Sequence, residues 1–454
     1  MIQYPRGFGW RRPQATLDNV TVVVGATYWS LNGVNVFSVN LVRGLLSRGI
    51  SAHILLTEEN TDLVNVREAR MKQAEDVPYC RLPVEKWHSW GAHWGAMIRY
   101  LEDCAPSIYI PNYDWRHSCV SPLLSKRVGI IGIVHSDDPL HYDHVKRLGR
   151  YWNAIATTSE TIARKTISLD PSLEPRTVVI PIGVDIPKQP PGFVERVGEP
   201  LRIIYPGTIR QQQKRVLDLP KIMRAAVALG VPVVMTVAGT GPDEDNLKVA
   251  SQDLVEQGLM RFLGLVDHNR VLKLLEEHDV FIMTSEFEGM PNALLEAMGR
   301  GCVPLVTDME SAIPELIQDG RAGLIVPIGA IELFAERLQL LHSNPGMRRE
   351  LAMKAYDAVS NPKFGVQDMV QSYIDLIQRV FREAHSRVYK RPRGVLNHPP
   401  VQVAGVDLFP QTLPYEQQGV GRFPTKVPDY EQFKGQSEKK PVSFTWQPRQ
   451  RFRN

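Results

Sequence analysis

The sequence predicts an α/β protein made of two doubly wound, Rossmann-like parallel-sheet halves, and three observations carry that expectation. Short apolar runs alternate with amphipathic stretches almost without a break from Val20 to Ile328, the pattern of parallel strands joined by crossover helices. A Pro/Gly-rich segment, PKQPPGFVERVGEP from Pro187 to Pro200, interrupts the alternation, and a second series of the same kind follows it; such a segment reads as an interdomain linker. The third observation is size, since 454 residues exceed what one hydrophobic core usually supports.

Taken in order, the strand Val20 to Val24 leads through a loop ending at Gly33 into an amphipathic helix, Val34 to Leu46, closed by Arg48-Gly49. Further strands are expected at Ala52 to Leu56, Ser107 to Ile110, Val128 to Val134 and Thr177 to Ile180. Between them, Trp87, Trp90, Trp94 and Met97/Ile98 share one face of a helix at Lys86 to Tyr100. That face suits either a core contact or an interfacial, acceptor-binding surface, because indoles favour both. After the linker, strands are expected at Leu201 to Tyr205, Val233 to Ala238, Arg261 to Leu263, Val280 to Met283, Val303 to Val306 and Gly323 to Val326. Val366 to Val388 carries apolar residues at helical spacing and forms a long helix that must dock on the body. The expected organisation is therefore an N-terminal domain over residues 1–190, a C-terminal domain over 191–362, a docking helix over 363–389 and an irregular tail over 390–454.

Composition narrows the function classes. No apolar run approaches the roughly 18 residues of a membrane span, and the N-terminal MIQYPRGFGWRRPQ lacks the apolar stretch of a secretory leader. Cys80, Cys104, Cys119 and Cys302 show no metal-binding spacing, so a cytoplasmic setting with no metal is expected. The net charge of +4 is misleading: residues 390–454 hold eleven Lys/Arg against five Asp/Glu (+6), leaving 42 against 44 (−2) on the body. A body without basic excess argues against a nucleic-acid partner. The tail, with nine prolines and scattered aromatics such as Phe409, Tyr415 and Trp446, is either flexible or an extended strap, and is where a peripheral membrane or protein partner is expected.

The most informative stretch is DVFIMTSEFEGMPNALLEAMGRGCVPLVTD, Asp279 to Asp308. Strand, turn, helix and strand follow one another there in the length of one βαβ unit, which places Glu288 and Glu296 at or just past a strand's carboxyl end. Ligands of open α/β sheets bind in that crevice, where helix N-termini favour anions. Two carboxylates there are either solvated helix-start charges or acceptors for ligand hydroxyls.

The string EGMPNALLEAMGRGCVP resembles the nucleotide-sugar signature of retaining glycosyltransferases of the two-Rossmann-domain (GT-B) kind, especially glycosyltransferase family 4. Companion stretches resemble that family in the expected order over about residues 20 to 385: the Gly33 loop, His135 in IVHSDDP, Thr158-Ser159-Glu160, Ile182-Gly183-Val184-Asp185, QKRV at Gln213 to Val216, AGTGP at Ala238 to Pro242 and FLGLV at Phe262 to Val266. The resemblance implies retaining sugar transfer from a nucleoside diphosphate sugar to a carbohydrate, lipid-linked or glycoprotein acceptor hydroxyl, without a cofactor. It places His135, Lys214 and Glu288 nearest the transfer. Gly33, Thr208, Arg210, Val266, Gly289, Met290, Pro291, Asn292 and Glu296 hold the donor, Glu296 through the ribose and Glu288 through the sugar. The sequence departs from the family after Gly207, where Thr208 replaces the usual arginine. That departure, with the aromatic tail, supports the alternative of a catalytically silent, sugar-nucleotide-binding subunit. A Rossmann dehydrogenase is set aside because GATYWSLNG (residues 25–33) and Gly239-Thr240-Gly241 lack the GxGxxG spacing. Asp137 and Asp138 are adjacent and do not form a DxD metal motif.

Overall fold

The computed structural model describes residues 17, 20–26, 33–57, 76–82, 90–112, 115–190, 192, 198–309, 311–384, 386, 390–392, 402–403 and 406–407. Trp87, the glycine loop before Gly33 and nearly all of the 390–454 tail, including Phe409, Tyr415 and Trp446, lie outside the described residues. Within them no helix is long and apolar enough to cross a membrane.

Two parallel sheets form. The first contains β1 (Thr21–Ala26), β2 (Ala52–Leu56), β3 (Tyr79–Arg81), β4 (Ser107–Ile110), β5 (Val128–Val134), β6 (Ala154–Thr157) and β7 (Thr177–Val179), in the order β3-β2-β1-β4-β5-β6-β7. The second contains β8 (Leu201–Pro206), β9 (Val233–Ala238), β10 (Met260–Phe262), β11 (Val280–Met283), β12 (Val303–Asp308) and β13 (Leu324–Pro327), in the order β10-β9-β8-β11-β12-β13. Helices cover both faces, so β5 is buried at all seven positions and reads as a continuous apolar run rather than an alternating one. In each sheet the strand order reverses beside the first strand, between β1 and β4 and between β8 and β11. These reversals open the crevices where α/β sheets bind ligands. The two domains are the GT-B arrangement.

Two strands of these parallel sheets escape the sequence reading, as does a two-residue antiparallel pair in the tail, Gln402–Val403 with Val406–Asp407. β3 is a three-residue edge strand, too short for a periodic signal, and β6, AIAT, carries only one large apolar side chain, Ile155. The C-terminal helix is described over Val366–Ala384; of the predicted 366–388, residues 385, 387 and 388 lie outside the described residues. The tryptophan-bearing helix is described over Trp90–Asp103, and residues 86–89 of the predicted span lie outside the described residues. Trp94 and Met97 lie in the N-terminal core, so for these two residues the core contact prevails over an exposed acceptor surface.

The Val366–Ala384 helix follows the C-terminal domain in sequence but packs on the N-terminal one. Met369, Val370, Tyr373, Ile374, Leu376, Ile377 and Val380 complete the core that also holds Val22, Phe37, Leu41 and Ile131. Gly44 permits the close approach, because a Cβ there would overlap the Val370 side chain. Gly44→Val is therefore expected to cost about 1–3 kcal/mol by overpacking, read as a Tm lowered by several degrees in thermal unfolding. An unchanged Tm would mean the two helices do not pack this closely.

Candidate functional site: the interdomain crevice

The second sheet's crevice is built by the two loops that leave β8 and β11. After β8 the chain passes Gly207 and Thr208, then forms a one-turn helix, Gln211–Lys214, and Arg215 adopts a left-handed conformation with φ 48°. After β11 it runs through Thr284, Ser285 and Glu286 to Glu288. The loops are stitched together: Glu286 N donates to Gln213 O at 2.7 Å and Thr284 Oγ1 to Lys214 O at 2.8 Å. This stitching brings the Lys214 ammonium onto Glu288 Oε1 as an ion pair. Ser285 Oγ donates to the same carboxylate oxygen at 2.7 Å. Glu288 is 6% exposed, and a carboxylate so desolvated is tolerated because it is paired and hydrogen-bonded.

Glycines set the crevice's other wall. A Cβ on Gly239 would overlap Gly207 O, and one on Gly241 would overlap Ile209 O, so the AGTGP motif lets the β8 and β9 loops meet backbone to backbone. Thr208 sits exposed on this rim, where its carbonyl accepts the Tyr205 hydroxyl at 2.8 Å. Arg210 is also exposed, at the start of the one-turn helix. Neither joins the Lys214–Glu288 pair. Val266 packs beside the smaller C-terminal core.

Helix Asn292–Gly299 begins at Pro291 with no side-chain cap. Leu294 N and Leu295 N donate to Pro291 O at 3.1 and 3.3 Å, which leaves the N–H groups of Asn292 and Ala293 at the positive end of the helix dipole without an intrahelical acceptor. Glu296, 4% exposed, lies in this helix outside the Lys214 pair and meets a different partner. His268 Nε2 is 2.7 Å from Glu296 Oε1, and hydrogen bonding to Glu296 raises the imidazole pKa above its ordinary value despite partial burial. Sequence reading missed His268. It stands two positions after FLGLV, and its meeting with Glu296 across 28 positions is a tertiary fact.

The first domain faces this crevice. His135, just past β5, is buried and donates from Nε2 to Asn112 Oδ1 at 3.1 Å. This donor assignment follows from the amide, whose Nδ2 donates to Gly25 O at 2.7 Å and to Ser38 Oγ at 3.2 Å. Burial, with a smaller contribution from His141, pushes the His135 pKa down to about 3, so the ring is neutral at physiological pH. Asn112, a second missed residue, stands two residues past β4 in the left-handed region with φ 54°, which asparagine tolerates. Phe37 packs edge-on against His135 at 5.0 Å and against Tyr373 at 5.4 Å.

The domains touch at Gly289, which forms an antiparallel bridge with Ser136, while Asp137 N approaches Glu288 O at 3.4 Å. Gly33 lies across from Asn292, whose amide a Cβ on Gly33 would meet at 3.6 Å. The Asp137 carboxylate is held by Lys165 Nζ at 2.7 Å and Tyr142 OH at 2.6 Å. Among the described residues no group of three His, Cys, Asp or Glu is placed to hold a metal ion. Beyond the bridge a cavity of about 760 Å³, lined by Thr158, Pro181, Leu316 and Arg321 among others, shares Met290 with the predicted donor set.

Thus the structure joins Lys214 to Glu288 and Gly289 to the His135–Ser136 backbone, sets Gly33 against Asn292, and leaves Glu296 in a separate pair with His268.

Residues 200–344 match the family model described as Glycosyl transferases group 1. A lipopolysaccharide core biosynthesis glycosyltransferase of Rhizobium meliloti is 30% identical over 152 residues, which cover 34% of this chain and 44% of that protein. The match thus spans less than half of the relative. Among solved structures, a mutant of TarM from S. aureus, in complex with fondaparinux, alpha-GlcNAc-glycerol and UDP, has a TM-score of 0.65 at 12% identity, covering 79% of this chain and 99% of that one. The pneumococcal O-GlcNAc transferase GtfA, in complex with UDP and GlcNAc, has a TM-score of 0.65 at 10% identity, covering 80% and 99%.

Proposed function

We propose that this chain, which carries a group 1 glycosyl transferase match over residues 200–344, transfers a sugar from a nucleoside diphosphate sugar to an acceptor hydroxyl with retention, in the synthesis of a polysaccharide or glycoconjugate. The observation that carries the reading is the Lys214–Glu288 pair between β8 and β11. A cation and a hydroxyl acceptor are thereby preassembled where such sheets bind ligands. The relatives' names point the same way.

In this reading, Lys214 and the first turn of the Asn292–Gly299 helix receive the diphosphate, whose charge grows as the sugar–phosphate bond breaks. Arg210 stands on the same rim. Glu288 accepts hydroxyls of the donor sugar and Glu296 those of the ribose. The acceptor oxygen attacks the anomeric carbon on the face that the phosphate leaves, and its proton passes to a phosphate oxygen. No carboxylate base is required. His135 is neutral and already fixed by Asn112, so it suits a hydrogen-bonding role toward the sugar better than a basic one. Domain contact through Gly289 and Ser136 excludes water from the reacting centre, and no metal enters the scheme.

The test is a panel of UDP-, GDP-, ADP- and dTDP-sugars, read by thermal shift and by released nucleotide. At least one donor is expected to raise the Tm and to be turned over. Absence of any shift would sink the reading, whereas a shift with no turnover on any acceptor would favour a silent binding subunit. Glu296→Ala should weaken nucleotide binding about tenfold to a hundredfold, as loss of a buried charged hydrogen-bond acceptor does. Titration calorimetry with the best nucleoside diphosphate checks this, and wild-type affinity would remove Glu296 from the site.

A further inference from the structure

We propose that His268 is a positioning residue for Glu296, fixing the carboxylate that receives the ribose and making nucleoside diphosphate affinity fall as pH rises. The inference rests on the donor-binding reading above and names the group that controls it. Its first support is geometric. His268 opens the helix His268–Glu276, whose N-terminus is capped by Asp267 accepting from Arg270 N at 3.0 Å. The backbone behind the ring is therefore fixed, and the 2.7 Å contact from Nε2 to Glu296 Oε1 joins one anchored helix to another. A carboxylate only 6% exposed at its side chain needs such a donor, because an unpartnered buried charge is strongly disfavoured. With Oε1 held by the imidazole, rotation of the carboxylate is arrested and Oε2 is kept for the ligand.

The second support is electrostatic. The imidazole remains 34% exposed, so it exchanges protons with solvent. Its surroundings hold Glu296 and Arg300 from the Asn292–Gly299 helix and its C-terminal cap, and Asp185 from the interdomain segment. Asp267 and Arg270 belong to its own helix. Arg300 is itself committed, donating to Asp185 O at 2.8 Å and pairing with the Asp185 carboxylate at 3.4 Å. Glu296 acts most strongly on the ring and favours its protonated form over the penalty of burial. The bound imidazolium then supplies a charge-assisted hydrogen bond and a positive charge near an anionic ligand. Above the raised pKa the neutral Nε2–H tautomer still donates, but the charge is gone.

The consequence is a sign that can be measured. Protonation persists to higher pH than in an unperturbed imidazole, so the histidine's contribution to affinity is greatest on the acid side and declines as pH rises through that raised value. His268→Gln keeps a neutral donor, and His268→Ala removes the donor altogether. Titration calorimetry with UDP, GDP, ADP and dTDP is run on the three proteins between about pH 6 and pH 9, a window around the histidine range, with thermal unfolding as the control for folding. Titration of the nucleotide's own phosphate is common to all three and cancels in the ratio of Kd values. At pH 6 His268→Gln is expected to bind several-fold more weakly than wild type, converging on it at pH 9. His268→Ala is expected to be weaker by about tenfold or more across the range, the effect of removing a hydrogen bond to a charged group. A Kd ratio for His268→Gln that stays flat with pH, or a His268→Ala protein that binds as wild type does, overturns the proposal while the donor reading survives. If wild type binds none of the four nucleotides, both fall together.

Discussion

Glu288→Gln is expected to reduce transfer by about a hundredfold to a thousandfold, the size of effect seen when one preorganised electrostatic contact to a transition state is lost. That corresponds to roughly 3–4 kcal/mol of barrier. The substitution keeps the side chain's shape and its ability to accept the Ser285 hydroxyl, so the fold should tolerate it. What changes is the partner of Lys214. In wild type the ammonium is tied to Glu288 in a site where the carboxylate is 8% exposed at its side chain, and an arriving diphosphate must compete for it. In Glu288→Gln the lysine has no anionic partner there, so nucleoside diphosphate affinity should be equal to or tighter than wild type. Opposite movement of turnover and affinity separates this role from a structural one. A variant that keeps transfer within about threefold of wild type, a change too small for a lost charged contact, would remove Glu288 from the donor sugar.

Gly289→Ala should be as damaging for a different reason. A Cβ at this position would overlap His135 O and come within 2.9 Å of His135 C and Ser136 Cα. All are backbone atoms of the opposite domain and cannot turn aside as a flexible side chain can. His135 O also accepts Thr158 Oγ1 at 3.4 Å, so the acceptor side of the contact is held in place. The methyl group therefore pushes the domains apart. A displacement of about 1 Å at a reacting centre costs on the order of a hundredfold in rate. Turnover should fall by about that factor, nucleotide affinity should change little because Glu296 and Lys214 are untouched, and solution scattering should report a larger radius of gyration. Wild-type turnover in Gly289→Ala would mean that this backbone bridge is not part of the working state.

How much of this was legible in the sequence depends on how local each feature is. The strands of the second sheet, and the strand–turn–helix carrying Glu288 and Glu296, are written in consecutive residues and fall within a residue or two of expectation. The strands β3 and β6 are not, because a three-residue edge and a run of small residues carry no period. Pairings are harder still. Lys214 and Glu288 stand 74 positions apart, and nothing in either loop announces that the ammonium and carboxylate meet rather than wait separately for a ligand. His268 opens a helix and Asn112 stands just past a strand, places where sequence can nominate a residue, but only the folded domains supply their partners. The Thr208 departure keeps its meaning as a sequence fact; in the structure that residue is an exposed rim position.

The return of the Val366–Ala384 helix to the first domain has a consequence for how the protein can be made. The backbone passes from one domain to the other near Ile182–Asp185 and comes back near Gly365, where Val184 and Gly365 form a bridge. A ribosome therefore releases residues 20–180 long before the helix that finishes their core exists. During that interval the apolar faces of Phe37, Leu41 and Ile131 lack their last cover, while the second domain can already close on itself. Domains usually mature in the order of synthesis; here the later-made sheet is positioned to finish first. A fragment cut at the linker would carry the same defect permanently, and its remedy would be to supply the 366–384 segment in trans or splice it on directly.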